Sequence, residues 1–315
     1  MSAKLTDLPL LSLIHEYLEH LEVERNLSPL TIRDYNLYLL RFHQWAQTFG
    51  MARITDLDLP AMKKFRLHLA RMQTQNGDTI SVRTQAYYII AVRSFLKWLT
   101  KQDVQVLAPE KIELPKPEAA PIKFVESDQI FRLLQQPDVS TLGGLRDRAI
   151  LEVLFSTGLR VSELTSLDRD QVNTTLREFG VVGKGRKTRV VFLSEEAANW
   201  VERYLAQRHD DWPPVFVRHA RGIDVTDDGE NMRLTARSVQ RTVEKYRKLA
   251  KIPIKVTPHA LRHSFATDLL RNGAGLRDVQ EMLGHKNIAT TQIYTHVTRP
   301  ELRKAHEKFH SKTEG

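Results

Sequence analysis

The residues of this chain whose types and spacing can do chemistry fall in four clusters of its C-terminal half. Arg160 stands between Thr157-Gly158-Leu159 and Val161-Ser162-Glu163-Leu164. One helix should end at Gly158 and another begin near Ser162, leaving Arg160 at the junction. From there a guanidinium can offer its planar fork to a phosphate. Glu163, three positions on, can hold that guanidinium in place. The plainer alternative is a surface arginine beside a helix-start glutamate. Lys184 lies in Gly183-Lys184-Gly185-Arg186-Lys187-Thr188-Arg189. Its flanking glycines permit a sharp hairpin tip, and the four basic residues would be repelled from a core. Such a tip suits phosphate contact or proton donation; a solvated turn is the alternative. It is not a P-loop, because the Gly-x4-Gly-Lys-[Ser/Thr] frame is absent and no helix follows directly.

The third cluster is Thr257-Pro258-His259-Ala260-Leu261-Arg262-His263. Thr257 is placed to cap a helix and Pro258 to occupy its first position, so His259 and Arg262 share one face near a positive helix end. That arrangement attracts an anion. His259 and His263 also have the spacing of two zinc ligands, although the glutamate of His-Glu-x-x-His is missing. The fourth cluster is Leu283-Gly284-His285, with Tyr294 nine residues later. A tyrosine on a helix is ordinarily packing; it becomes chemistry only where arginines, a lysine and histidines converge on it.

Composition favours a polyanion as partner. Lys+Arg number 47 against 38 Asp+Glu, a net charge of +9, and the 32 basic and 25 acidic residues after position 122 hold +7 of it. With no cysteine, disulfides, thiolate zinc sites, iron–sulfur clusters and a cysteine nucleophile are excluded. The 41% hydrophobic and 27% charged fractions are those of a globular protein rather than a disordered one. No apolar run approaches the roughly 18 residues of a membrane span, and Met1–Asp7 lacks the apolar stretch of a secretory signal. A cytoplasmic location, without a membrane partner, is expected.

The elements that must position these residues divide in two. The first hundred residues predict four amphipathic helices. Pro9 to Glu24 forms the first, with Pro9 in its first turn. A second follows the Ser28-Pro29 start and runs to Gly50. A third opens at Asp58-Leu59-Pro60 and ends near Met72, and a fourth spans about Ser81 to Thr100. Residues 106–122 hold four prolines and no periodic pattern, and predict an extended linker. The domains expected are therefore 1–105 and 123–315. In the second, helices are expected over Ser127–Leu134, Leu145–Thr157, Glu195–Arg208, Ala236–Leu249, Pro258–Arg271, Leu276–Leu283, Ala289–His296 and Pro300–Phe309. Leu176–Val182 and Thr188–Leu193 read as a β-hairpin around the glycine-flanked lysine. Residues 209–234, with Trp212-Pro213-Pro214 and the acidic run Asp224–Glu230, read as a surface insertion, with a cation loop as the alternative.

Taken together, Arg160 in Thr-Gly-Leu-Arg-Val-Ser-Glu-Leu, Lys184 in Gly-Lys-Gly, His259-x-x-Arg262, His285 in Leu-Gly-His, and Tyr294 stand in the order and at the separations of the tyrosine recombinases. The chain resembles this family, in particular its Xer-type members, over roughly residues 9–310. The resemblance includes the Ser28-Pro29-Thr31 helix start and the Arg93–Leu99 segment. It implies a mostly α fold: an N-terminal four-helix, SAM-like core-binding domain, then a mainly helical catalytic domain with a small antiparallel sheet. One departure is the longer, acidic 217–234 region.

The resemblance further implies site-specific cutting and rejoining of double-stranded DNA through a 3′-phosphotyrosine. Tyr294 would be the nucleophile, Arg160 and Arg262 the clamp on the phosphate oxygens, and His259 and His285 hydrogen-bond donors to the phosphate. His259 is also a candidate to accept the tyrosine proton, and Lys184 would be the general acid. Glu163 would support Arg160 or a histidine. The covalent link conserves the bond energy, so no cofactor, ATP or metal is required. The two domains would hold duplex DNA between them. A helix after Tyr294 would dock on a neighbour in a homo-tetramer, or a hetero-tetramer with a sister recombinase, with a DNA translocase as a further partner at the nucleoid. Chromosome-dimer resolution is the role so implied; a mobile-element integrase, a type IB topoisomerase and an inactive DNA-binding protein are the alternatives.

Overall fold

The computed structural model describes residues 8–51, 53–74, 76–115, 125–183, 188–219, 222 and 224–284. The chain divides into two units, Met1–Pro121 and Ile122–Gly315.

In the first unit, α1 (Leu10–Val23), α2 (Pro29–Thr48), α3 (Leu59–Arg71) and α4 (Val82–Lys101) follow the four expected apolar periods. Three of the starts are fixed by side chains. Ser28 Oγ, Asp58 Oδ1 and Ser81 Oγ accept the otherwise unpaired N–H groups of Thr31, Ala61 and Thr84 at 3.3, 2.7 and 3.1 Å. Pro9 precedes α1 instead of entering its first turn. The helices close on a core that includes Leu13, Tyr17, Phe42, Phe65 and Phe95. The stretch expected to be linker from residue 106 begins differently: Val106 and Leu107 pack against this core, Pro109 starts a short 3-10 turn to Lys111, and Ile112 is buried. Prolines prevent a helix here, but the aliphatic residues between them still gain by leaving water.

In the second unit the hub is α6 (Leu142–Thr157), capped by Thr141 Oγ1 on the Gly144 N–H at 3.0 Å. It starts three residues before the expected Leu145. This helix is buried on several faces and packs against α5 (Ser127–Leu134), α7 (Val161–Thr165), α8 (Glu195–Ala206), α9 (Ala236–Leu249) and α10 (Pro258–Arg271). Its buried carboxylates are paired, Asp147 with Arg146 at 2.6 Å and Glu152 with Arg148 at 2.7 Å. Strands β1 (Glu178–Val182) and β2 (Thr188–Phe192) form a two-stranded antiparallel sheet, with Val182 opposite Thr188. The last described helix, α11 (Leu276–Leu283), packs on α10 and β2. The expected hairpin tip at 184–187 and the helices over 289–296 and 300–309 lie outside the described residues.

Residues 209–234 are a surface insertion only in part: the described residues of 218–228 are exposed, whereas the flanks on either side carry buried residues. Val215, Phe216, Met232 and Leu234 are buried, and Arg208, itself buried, donates to the Pro214 and Val215 carbonyls at 2.7 and 2.9 Å. Arg233 ties the acidic run back to α7. It donates to Asp168 at 2.7 Å, to Glu230 at 2.6 Å and to the carbonyls of Thr165 and Leu167. The apolar residues of the two flanks enter the core, and Arg208 and Arg233 satisfy the polar groups beside them.

Candidate active site

The site is built where three helix ends meet. Helix α6 stops because Gly158 takes the left-handed conformation, φ 59° and ψ 25°. A Cβ there would come within 2.5 Å of the Phe265 ring, so both backbone and packing require glycine. The chain then places Arg160 just before α7. Glu163, in the first turn of α7, accepts the Arg160 backbone N–H at 2.7 Å and its Nη1–H at 2.7 Å. Of the two partners expected for Glu163, Arg160 is the one it contacts here.

Helix α10 begins as the sequence predicts. Thr257 Oγ1 accepts the Ala260 N–H at 3.1 Å and Pro258 is the first helical residue. One turn in, Arg262 is buried and donates to two main-chain acceptors, the Gly158 carbonyl ending α6 and the Leu283 carbonyl ending α11. Arg160 Nη2 points to the next carbonyl along, Gly284, at 3.4 Å. The two guanidiniums thus converge on adjacent carbonyls, and helix C-termini, negative by their dipoles, are natural places to hold them. The two are not equivalent, however: Arg160 retains 35% of its side-chain exposure, whereas Arg262 is 3% exposed.

His259 is exposed at the start of α10, and its Nε2 lies 2.9 Å from Nε2 of His263 with the rings 79° apart. Protein around the ring, then the charges of Arg262 and Arg160, lower its pKa from the ordinary histidine value. A neutral imidazole is thereby favoured near neutral pH. The two ring nitrogens lie within hydrogen-bonding distance of each other. Among the described residues, no three His, Cys, Asp or Glu side chains gather in a metal-binding group.

Arg189 departs from the sequence expectation. The basic run around it predicts a side chain repelled from the core, yet it is only 10% exposed. Its Nη1 and Nη2 donate to the two oxygens of Glu163, each at 2.8 Å, and its Nε donates to the Met282 carbonyl at 3.0 Å. The signal for this was present: Arg189 lies two residues before the apolar Val191 on β2, so the two share the inward face. Burial disfavours the Glu163 carboxylate, but the hydrogen bonds from Arg189 and from the Arg160 backbone outweigh it and hold the pKa at about 2. Arg160, Arg262, His259 and Glu163 are therefore brought together. Lys184, His285 and Tyr294 lie outside the described residues, whose neighbours Gly183, Thr188 and Gly284 belong to the same unit.

Comparison with known proteins follows both units. Residues 123–301 match the phage integrase family and residues 14–103 its N-terminal SAM-like domain. The tyrosine recombinase XerD of Staphylococcus epidermidis is 33% identical across 95% of this chain and 98% of its own. XerC of Myxococcus xanthus is 35% identical across 95% and 97%. Among solved structures, XerH recombinase bound to palindromic difH substrate aligns with a TM-score of 0.69 at 22% identity, covering 95% of this chain and 84% of that one. The Tn1549 transposon integrase in complex with transposon right end DNA aligns at 0.71 and 19% identity, covering 96% and 100%. These two establish likeness of fold. Matched in both units, and a third identical to relatives along nearly all of their own length, the chain belongs to the phage integrase family of tyrosine recombinases and is a site-specific DNA-recombining enzyme.

Proposed function

We propose that the chain cuts each DNA strand with Tyr294 and rejoins it to a partner strand, with Arg160, Arg262, His259, His285 and Lys184 around the scissile phosphate. The observation that carries this reading is the convergence of Arg160 and Arg262 on the Gly284 and Leu283 carbonyls, immediately before His285. In the forward step the Tyr294 oxygen bonds to phosphorus and the bond from phosphorus to the 5′-oxygen breaks. The tyrosine proton passes to His259, whose ring the surrounding protein and the charges of Arg262 and Arg160 keep in the neutral, proton-accepting form. Lys184 gives a proton to the leaving 5′-oxygen. The arginines neutralise the phosphate oxygens as the phosphorane forms, and in that charged state their planar forks are worth most. Attack by the 5′-hydroxyl of a partner strand reverses these transfers.

We further infer assembly as a tetramer on paired sites, of one chain or with a sister recombinase. Supporting this, Leu302, Ala305 and Phe309 stand in the sequence at the spacing of one helix face. An apolar groove of about 460 Å³ on the catalytic unit, lined in part by Phe155, Phe192, Phe265, Leu269 and Met282, is the surface we assign to the tail of a neighbouring copy. No described helix is long and apolar enough to cross a membrane, and we place the protein in the cytoplasm, at the nucleoid. Chromosome-dimer resolution, with a DNA translocase as trigger, is the role we favour from the XerD and XerC relatives.

A nicked duplex bearing a site selected by the protein from a random-sequence pool tests the chemistry. A covalent protein–DNA adduct and strand exchange between two such sites are the expected results. Binding without an adduct would return the protein to a DNA-binding role, and relaxation of supercoils without exchange to a topoisomerase. Exchange restricted to two unlike sites would favour integration of a mobile element over dimer resolution.

A further inference from the structure

Arg189 has no part in the mechanism above, yet it is the side chain through which the sheet, the Arg160 junction and the end of α11 are joined. Its guanidinium grips both oxygens of Glu163 at 2.8 Å, and Glu163 in turn grips Arg160 at 2.7 Å through both backbone and side chain. The remaining Nε–H reaches the Met282 carbonyl, three residues before His285. The fit on that side is close. A Cβ on Gly284, whose φ is +63°, would lie 3.0 Å from Arg189 Cδ. Three guanidinium donors are thus committed to two acceptor groups on different elements, which a lysine's single ammonium could not hold together.

We propose that Arg189 is a positioning residue for strand cleavage: it holds Glu163 ionised and oriented so that Arg160 presents its fork to the phosphate, and it fixes the end of α11 from which the chain runs to His285 and Tyr294. This rests on the reading of Arg160 as a phosphate clamp. The charged groups that meet Glu163 are Arg160, from its own junction, and Arg189, from β2; on α10, His259 feels the charges of Arg262 and Arg160. Without Arg189, burial of the Glu163 carboxylate is opposed by Arg160 alone. Its affinity for a proton rises, and a protonated Glu163 has one fewer site to accept from Arg160.

The test uses the full-length protein and the nicked duplex described above, with Arg189→Met, Arg189→Lys, Glu163→Gln, the Glu163→Gln/Arg189→Met double variant and Arg160→Ala. DNA affinity, the single-turnover rate of adduct formation and thermal melting are measured between about pH 5.5 and 8. Arg189→Met and Arg189→Lys should bind DNA within about twofold of wild type and form adduct about tenfold more slowly. The double variant should be no slower than its slower parent, because both changes break one chain of contacts. The rate of Arg189→Met relative to wild type should fall as pH is lowered, and the ratio cancels the titration of His259 common to both. A wild-type rate and pH profile in Arg189→Met, or a double variant whose loss is the product of the two singles, overturns the proposal. If melting shows Arg189→Met unfolded, Arg189→Lys decides, and a wild-type rate there overturns it. A wild-type rate in Arg160→Ala overturns the clamp reading itself, an outcome distinct from failure at Arg189 alone.

Discussion

Tyr294→Phe removes one oxygen and keeps the ring, so it isolates the nucleophile from any packing role. The variant should bind DNA as wild type does and give no covalent adduct on the nicked duplex; an adduct of wild-type yield would sink the assignment of Tyr294. Lys184 calls for a different comparison, since a lysine near a phosphate can bind or donate. Lys184→Ala should cleave an ordinary phosphodiester at least about a hundredfold more slowly, the usual scale of general acid catalysis. It should recover on a substrate with sulfur as the bridging 5′ atom, because a thiolate leaves without a proton. Equal loss on both substrates would show that Lys184 serves only to bind.

At the scale of elements, the tight joint between α6 and α7 is the most exposed to substitution. Gly158→Ala adds a methyl group to a left-handed residue and drives it into Phe265, 2.5 Å away. A loss of about 1–3 kcal/mol is expected from the backbone strain alone. The displaced Gly158 carbonyl should also loosen Arg262. Thermal melting and the adduct rate together check this, and both should fall; Gly50→Ala, also left-handed but with open space at its Cβ, should lower only the melting temperature. Such joints were legible in the sequence wherever a local rule applied. Ser28, Asp58, Ser81 and Thr257 cap their helices through their own side chains, and Gly158 and Gly284 end theirs by conformation. Two features were obscured in the sequence, for distinct reasons. Arg189 lies in a basic run whose composition reads as solvent-facing, and its burial depends on Glu163, 26 residues away. Residues 209–234 have no period of their own, and the burial of their flanks is completed by partners far along the chain, such as Asp168 for Arg233.

For the whole molecule the question is where the tail belongs. Truncation after Thr298 removes the Leu302, Ala305 and Phe309 stripe. If the tail serves a neighbour, the truncated chain should melt within a few degrees of wild type but lose cooperative binding to DNA carrying two sites, as read on native gels. If it packs on its own subunit, losing a buried Leu and Phe should cost several kcal/mol, on the order of 5, and lower the melting temperature strongly. A strong fall in melting temperature with two-site cooperativity preserved in the folded fraction would refute the assembly proposed above.

Arg160, Arg189 and Arg262 share a property with a practical edge: each has a main-chain carbonyl among its acceptors, at Gly284, Met282, Gly158 or Leu283. No side-chain replacement deletes a carbonyl. An alanine scan of this site would therefore credit the arginines with the whole of each contact and leave the other half of the structure invisible. Selection meets the same asymmetry, since drift in side chains cannot erode those acceptors one at a time. Gly158 and Gly284, the two residues that aim the carbonyls, are the genetic handles on that hidden half.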